Sequence, residues 1–202
     1  MKVSFVRHGQ TEGNISERHQ TNTIELTQKG REQAQAAGTR LQALAPTHLI
    51  TSPLTRATQT ADIIATACAL TPVTDELFAE VGRPHTFAGR HRKDLYSIWF
   101  YLRWFFAHKS AAQEGGETYK QLRTRIAQAQ ETLATYPKDA HIVVVSHAVF
   151  INFFLMHLCN KESLSFFQVL RCLRSILNLP NGAIITINYT PDSKGCAWQV
   201  EN

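Results

Sequence analysis

"HIVVVSHAVFINFFLMHL", residues 141–158, holds an unbroken apolar run from Ile142 to Val145, a break at Ser146-His147, and then a second apolar run long enough for a helix. A strand with no polar alternation must be covered on both faces, which is the setting of a parallel strand inside an α/β sheet. The opening residues, "MKVSFVRHGQTEGN" (1–14), repeat the arrangement. Val3, Phe5 and Val6 form a short buried strand, Arg7 and His8 arrive where the apolar run stops, and Gly9 lets the chain turn sharply. If these two strands are parallel neighbours, His8 and His147 lie on the same sheet edge. That edge, beyond the carboxyl ends of the strands, is where open α/β sheets bind ligands.

The rest of the chain alternates in the same way. "LTQKGREQAQAAGTRLQAL" (26–44) places Ala34, Ala37, Leu41 and Leu44 on one helical face and stops at Pro46. "HLITS" (48–52) is a short strand, and "PLTRATQTADIIATACAL" (53–70) is a helix with Pro53 near its first turn. "TPVTDELFAE" (71–80) supplies a short strand and a loop, and "GETYKQLRTRIAQAQETLATY" (116–136) a long helix ending before Pro137. "AIITINY" (183–189) is a late strand, with "AWQVE" (197–201) as a further one. Strands alternating with helices predict one three-layer α/β/α domain over residues 1–202, with a mostly parallel central sheet.

Composition narrows the function class without choosing it. Hydrophobic residues make up 44% and charged residues 18% of 202 residues, an ordinary globular balance. A net charge of +5 favours anionic partners: phosphorylated metabolites, nucleic acid or an acidic membrane. No nucleic-acid motif accompanies that charge. Lys2 leads straight into a strand, so no secretory leader is read and the cytoplasm is the expected location. Cys68, Cys159, Cys172 and Cys196 are scattered, and they are expected to be small buried hydrophobes without a metal or disulfide framework.

Arg56 falls in the first turn of a helix that follows a strand end. The helix N-terminus there adds backbone N–H groups and partial positive charge to an anion site. A single arginine or histidine so placed is ordinarily a solvated or capping residue. Two arginines and two histidines at similar strand ends are not what random placement gives.

The blocks "FVRHGQTEGN", "LTQKGREQA", "TSPLTRATQTA", "LFAEVGRPHTFAG", "GGETYKQL" and "VVVSHA" occur in the order found in the histidine phosphatase superfamily, and the chain resembles its phosphoglycerate-mutase-like branch over essentially its full length. The resemblance implies a metal-independent phosphatase that hydrolyses phosphomonoesters of small molecules through a phosphohistidine, with no cofactor. It implies His8 as nucleophile, Glu80 as general acid, and Arg7, Asn14, Arg56 and His147 around the phosphate, His147 as imidazolium. Ala148 and Val149 stand where the family commonly has glycine after the second histidine, so Ala148 is expected to keep a backbone donor in a narrower pocket. Thr21 also stands where glycine is usual. The extended segments associated with bisphosphoglycerate binding are absent, which favours hydrolase over mutase; the alternatives are mutase-type transfer or a catalytically weak binding member of the same fold.

The family's variable cap falls at about 82–115. There "KDLYSIWFYLRWFFAHK" (93–109) is apolar almost all round, flanked by Arg83, Arg90, Arg92, Lys93 and Lys109. It is too short, and carries Arg103, for a membrane span. Three readings stand: a cap packed on the core, a homodimer surface, or an interfacial membrane helix. An aromatic cap would favour phosphomonoesters with apolar or ring-bearing leaving groups.

Overall fold

The computed structural model describes residues 1–92, 94–106, 116–160, 162–191 and 195–201, with no side-chain description for residues 98, 101–103, 105, 106 and 166. Lys93, Lys109 and residues 107–115 of the expected cap lie outside the described residues, as do the side chains of Ile98, Tyr101, Leu102, Arg103, Phe105 and Phe106.

Among the described residues six strands form one sheet: β1 Lys2–Arg7, β2 His48–Thr51, β3 Pro72–Thr74, β4 His141–Ser146, β5 Ile184–Tyr189 and β6 Trp198–Val200. Their order is β3-β2-β4-β1-β5-β6; the first four are parallel, and β5 and β6 return antiparallel. Helices α1 Glu12–Ile15, α2 Gln28–Gln42, α3 Thr55–Cys68, α4 Leu95–Phe106, α5 Tyr119–Ala134, α6 Ala148–Met156 and α7 Phe166–Asn178 make up the rest.

The unalternating apolar strand behaves as its composition demands. Every residue of β4 is buried. Val143 and Val145 pack with Val6, Ala37, Leu41, Ala57, Ala61 and Ile64, so α2 and α3 cover one face. Ile142 and Val144 join Val3, Phe5, Leu122, Ile126, Phe150 and Phe154, so α5 and α6 cover the other. The period-two alternation along β1 and β4 divides the core into these two layers. Thr27 caps α2 by accepting from the Gly30 N–H at 3.1 Å, and Thr118 caps α5 in a reciprocal box with Gln121.

Four local expectations change. Leu44 lies beyond the end of α2 and is exposed, because the helix stops at Gln42 and the chain loosens before Pro46. Gly9 is needed for closeness rather than for a left-handed turn: a Cβ there would sit 2.2 Å from the Gly30 carbonyl oxygen, and one on Gly30 would sit 2.2 Å from that of Gln10. The loop after β1 therefore rests backbone against backbone on the first turn of α2. Cys159 and Cys196 form a disulfide, contrary to the expected set of isolated thiols, with Cα atoms 5.4 Å apart. The two are 37 residues apart in sequence, so spacing gives no signal; the antiparallel return of β6 beside the end of α6 brings them together. Cys68 and Cys172 are free, as expected.

The fourth concerns the aromatic segment, where one helix divides its rings. Trp104 is buried, donates its Nε1–H to the Glu117 carbonyl at 2.6 Å, and packs on Tyr119 and Phe153. Phe100 stacks on Phe87. Leu95 and Trp99 are exposed. Trp104 is thus packed against the core, and Phe100 is half-buried against Phe87. No helix of the described residues is long and apolar enough to cross a membrane.

Candidate functional site

Strand register decides the site. Arg7 pairs with Ser146 in neighbouring parallel strands, so His8 and His147 are each the next residue beyond the pair. The His8 backbone N–H donates to the Ser146 carbonyl at 3.0 Å, and the two imidazole centroids are 5.1 Å apart. Both rings are buried. They sit at the carboxyl edge of the sheet, where chain order reverses between β4, β1 and β5.

His8 is held in one tautomer. Its Nδ1 lies 2.7 Å from the Gly9 carbonyl oxygen, which can only accept, so Nδ1 carries the proton. Nε2 then presents a lone pair, and the Arg56 Nε–H donates to it at 3.2 Å. Arg56 enters from the first turn of α3, is buried, and also donates from Nη1 to the Thr21 carbonyl at 3.1 Å. Thr21 thus meets the site through its main chain, which any residue supplies. Arg7 donates from Nη1 to the Leu179 carbonyl, while its Nε is buried with no hydrogen-bond partner among the described residues. Burial brings both arginines down to about 10, still protonated at neutral pH.

His147 sits in surroundings that oppose its protonation when the pocket holds no anion. Burial, then the charges of Arg56, His8 and the other arginines, pushes its pKa well below the ordinary value, which favours the neutral ring. Its Nε2 is 2.7 Å from Ser52 Oγ at the end of β2, and its Nδ1 is buried without a partner among the described residues. Burial, with Arg56 and Arg7, depresses His8 in the same direction.

Glu80 is brought in by its loop. Ser146 Oγ donates to the Phe78 carbonyl at 2.7 Å, tying the segment to the end of β4. Glu80 Oε1 accepts from the backbone N–H groups of Val81 at 2.9 Å and Phe150 at 3.1 Å. Its negative charge acts on both Arg7 and Arg56. Neighbouring acids go elsewhere: Asp75 caps the turn at Leu77, and Glu76 and His85 are exposed. Ala148 begins α6, directly after His147. The N–H of Phe150 is engaged by Glu80, which leaves Ala148 and Val149 as further first-turn donors of α6.

Asn14 is placed less directly. Its Oδ1 accepts from the Thr11 N–H and hydroxyl, completing the cap of α1, and from Asn181 Nδ2 at 3.2 Å. Asn181, which sequence reasoning missed, also donates to the His8 carbonyl at 3.0 Å and so couples the two segments. Ser52 and Thr60 were missed as well; Thr60 Oγ1 accepts the Gly9 N–H at 3.1 Å. Ser52 stands at a strand end beside Arg56, the same signal that marks His8 and His147.

The depressed histidines make acid stability a test of this packing. In the unfolded chain imidazole protonates near ~6.5, whereas in the fold His8 and His147 resist protonation and His19, buried against Phe87, titrates at about 4. The unfolded state binds more protons between these values. Stability is therefore full above about pH 6.5 and falls as pH drops below it. His19 contributes to that fall in the same direction, its proton uptake in the fold being deferred to about pH 4. Urea midpoints at pH 7.5 and 5 should show a clear drop, shallower in His19→Gln; equal midpoints in the parent protein would contradict the burial.

The family model described as histidine phosphatase superfamily (branch 1) matches residues 3–199. A protein named probable phosphoglycerate mutase GpmB, from Erwinia tasmaniensis, is 31% identical over 155 residues, covering 74% of this chain and 70% of that one. The structure of a mycobacterial glucosyl-3-phosphoglycerate phosphatase with VO3 superposes with a TM-score of 0.77 at 22% identity, covering 99% of this chain and 96% of the other. The α-ribazole phosphatase of Shigella flexneri gives 0.77 at 21% identity, covering 99% and 95%. With the fold, the strand-end histidines and the family match in agreement, the chain belongs to the histidine phosphatase superfamily, branch 1.

Proposed function

We propose that this protein is a phosphomonoesterase of small phosphorylated metabolites, acting through a phosphohistidine on His8 without a metal ion. The observation that carries the reading is the fixed tautomer of His8: Nδ1 donates to the Gly9 carbonyl, and an unprotonated Nε2 accepts from the buried Arg56 Nε–H. A neutral imidazole of this kind can attack phosphorus.

In the first step Nε2 forms the P–N bond while the P–O bond to the leaving group breaks. Glu80 passes to the departing alkoxide a proton that enters with the substrate's phosphate group. Arg7, Arg56 and the His147 Nδ1–H stabilise charge on the equatorial oxygens, the role that a metal ion plays in other phosphoryl-transfer sites. This role takes the His147 tautomer with its proton on Nδ1, which has no partner among the described residues, Ser52 Oγ–H then donating to Nε2 across their 2.7 Å contact. In the second step Glu80 takes a proton from water, water attacks phosphorus, and the P–N bond returns its electrons to His8. The Ala148 N–H adds a donor at the start of α6, and Asn14, with Asn181, orders the loop beside His8.

A second reading, phosphoryl transfer to another hydroxyl, is favoured by the mutase name of the 31%-identical relative. The same first step serves both; the acceptor differs. A cytoplasmic location belongs to the proposal. Phosphate release from a panel of phosphomonoesters should proceed undiminished with EDTA present. Inhibition by EDTA that a divalent ion reverses would overturn the metal-free mechanism, and isomerised phosphoester without free phosphate would assign the mutase.

A further inference from the structure

Helix α7 carries an apolar surface that the core does not use. Its side chains fall into ridges that step along Phe166–Asn178 by three or four positions. Val169, Cys172 and Ile176 turn inward, the first two buried and Ile176 packed against the same core. Leu170, Leu173 and Leu177 form the next ridge round the helix and are exposed. Phe167, 79% exposed, continues that row toward the start of the helix. Arg171 and Arg174 form the ridge beyond and are exposed too. No Asp or Glu occurs between Glu162 and Asp192 to offset them.

One exposed leucine needs no explanation, but four large apolar side chains in a row do. The row runs from position 167 to 177, about 15 Å at the α-helical rise. By itself it falls short of the roughly 800 Å² per partner that a stable dimer buries. An antiparallel two-fold pairing of α7 would also set Arg171 and Arg174 of one copy against the same pair of the other, with no acid between them. An anionic bilayer surface answers both features. Leucine and phenylalanine enter the acyl boundary, while the arginines lay their stems along the apolar row and keep their guanidinium groups among the phosphates. The row also ends beside the phosphate pocket. Leu177 lies two residues before Leu179, whose carbonyl holds Arg7, and Asn181 donates to the His8 carbonyl.

We propose that α7 docks this protein on a bilayer of anionic phospholipids. The helix lies in the interface with Phe167, Leu170, Leu173 and Leu177 inserted and with Arg171 and Arg174 against the headgroups. Docking of this kind does not depend on the reaction at His8. It places the interfacial role on α7 rather than on the aromatic helix α4, whose Trp104 is committed to the core.

Flotation of the full chain with vesicles tests the docking. One set is phosphatidylcholine alone and the other equimolar phosphatidylcholine and phosphatidylglycerol. Binding to the mixed vesicles should be at least about 10-fold tighter and should weaken as salt rises. Arg171→Gln and Arg174→Gln should each weaken it about 5-fold, and Arg174→Lys, which keeps the charge, should restore most of the loss. Leu170→Ser and Leu177→Ser should weaken it by a similar factor through lost insertion. Their side chains face solvent, so both variants should melt at the parent's temperature. Binding that survives both serine changes overturns insertion of the leucine row, and equal binding to the two vesicle types overturns the anionic partner. No binding to either set overturns docking altogether. If the chain is then a dimer that Leu177→Asp dissociates, the row belongs to a second copy. Should a serine variant fail to fold, the arginine variants and the salt series decide.

Discussion

Replacing His8 with alanine should lower kcat for every phosphomonoester by at least about a thousandfold, while leaving the fold and phosphate binding in place. The ring is buried, but it lies at the end of β1 rather than within the core, and its backbone N–H bond to Ser146 does not depend on the side chain. Removing it takes away the atom that divides the displacement into two steps. Arg7 and Arg56 keep anchors of their own, on the carbonyls of Leu179 and Thr21, so the pocket should still hold inorganic phosphate. Retention of a tenth or more of the activity in the folded variant would remove His8 from the mechanism.

Glu80→Gln should separate substrates by their leaving groups. Alkyl phosphates leave as strongly basic alkoxides and need the proton that Glu80 supplies, so their turnover should fall by roughly 10²- to 10⁴-fold. p-Nitrophenolate hardly needs that proton, and its release in the first step should be affected far less. The glutamine side chain can still accept the Val81 and Phe150 N–H bonds that hold this loop, which keeps the comparison chemical rather than structural. Equal slowing of both substrates would move the acid away from Glu80. Neither Glu76 nor His85 offers a natural substitute, since both face solvent.

How much of this was legible in the sequence differs by residue. β4 was readable because four consecutive apolar residues leave no solvent face, and from it the parallel sheet and the shared edge of His8 and His147 followed. Arg56 was readable from its place at a helix start. Glu80 rested on resemblance, because three acids lie within six residues and only the tie between Ser146 and Phe78 singles one out. Asn181 and Leu179 were invisible: they reach the site through the antiparallel return into β5, more than 160 residues from the segments they touch. The lowered pKa of His147 was also beyond the sequence, since it comes from complete burial beside Arg56. The disulfide escaped for a like reason, its partners being joined by topology and not by spacing.

Rapid acid-free quenching during turnover, followed by peptide mapping under basic conditions, asks directly whether phosphate passes through His8. The expected result is one phosphoryl group on the peptide that contains Arg7-His8-Gly9, stable in base, lost in acid, and absent from His8→Ala. A phosphoryl group found on another residue would contradict the mechanism. So would full turnover with unmodified His8 at every quench time, in a protein that releases the label to water in a single inverting step.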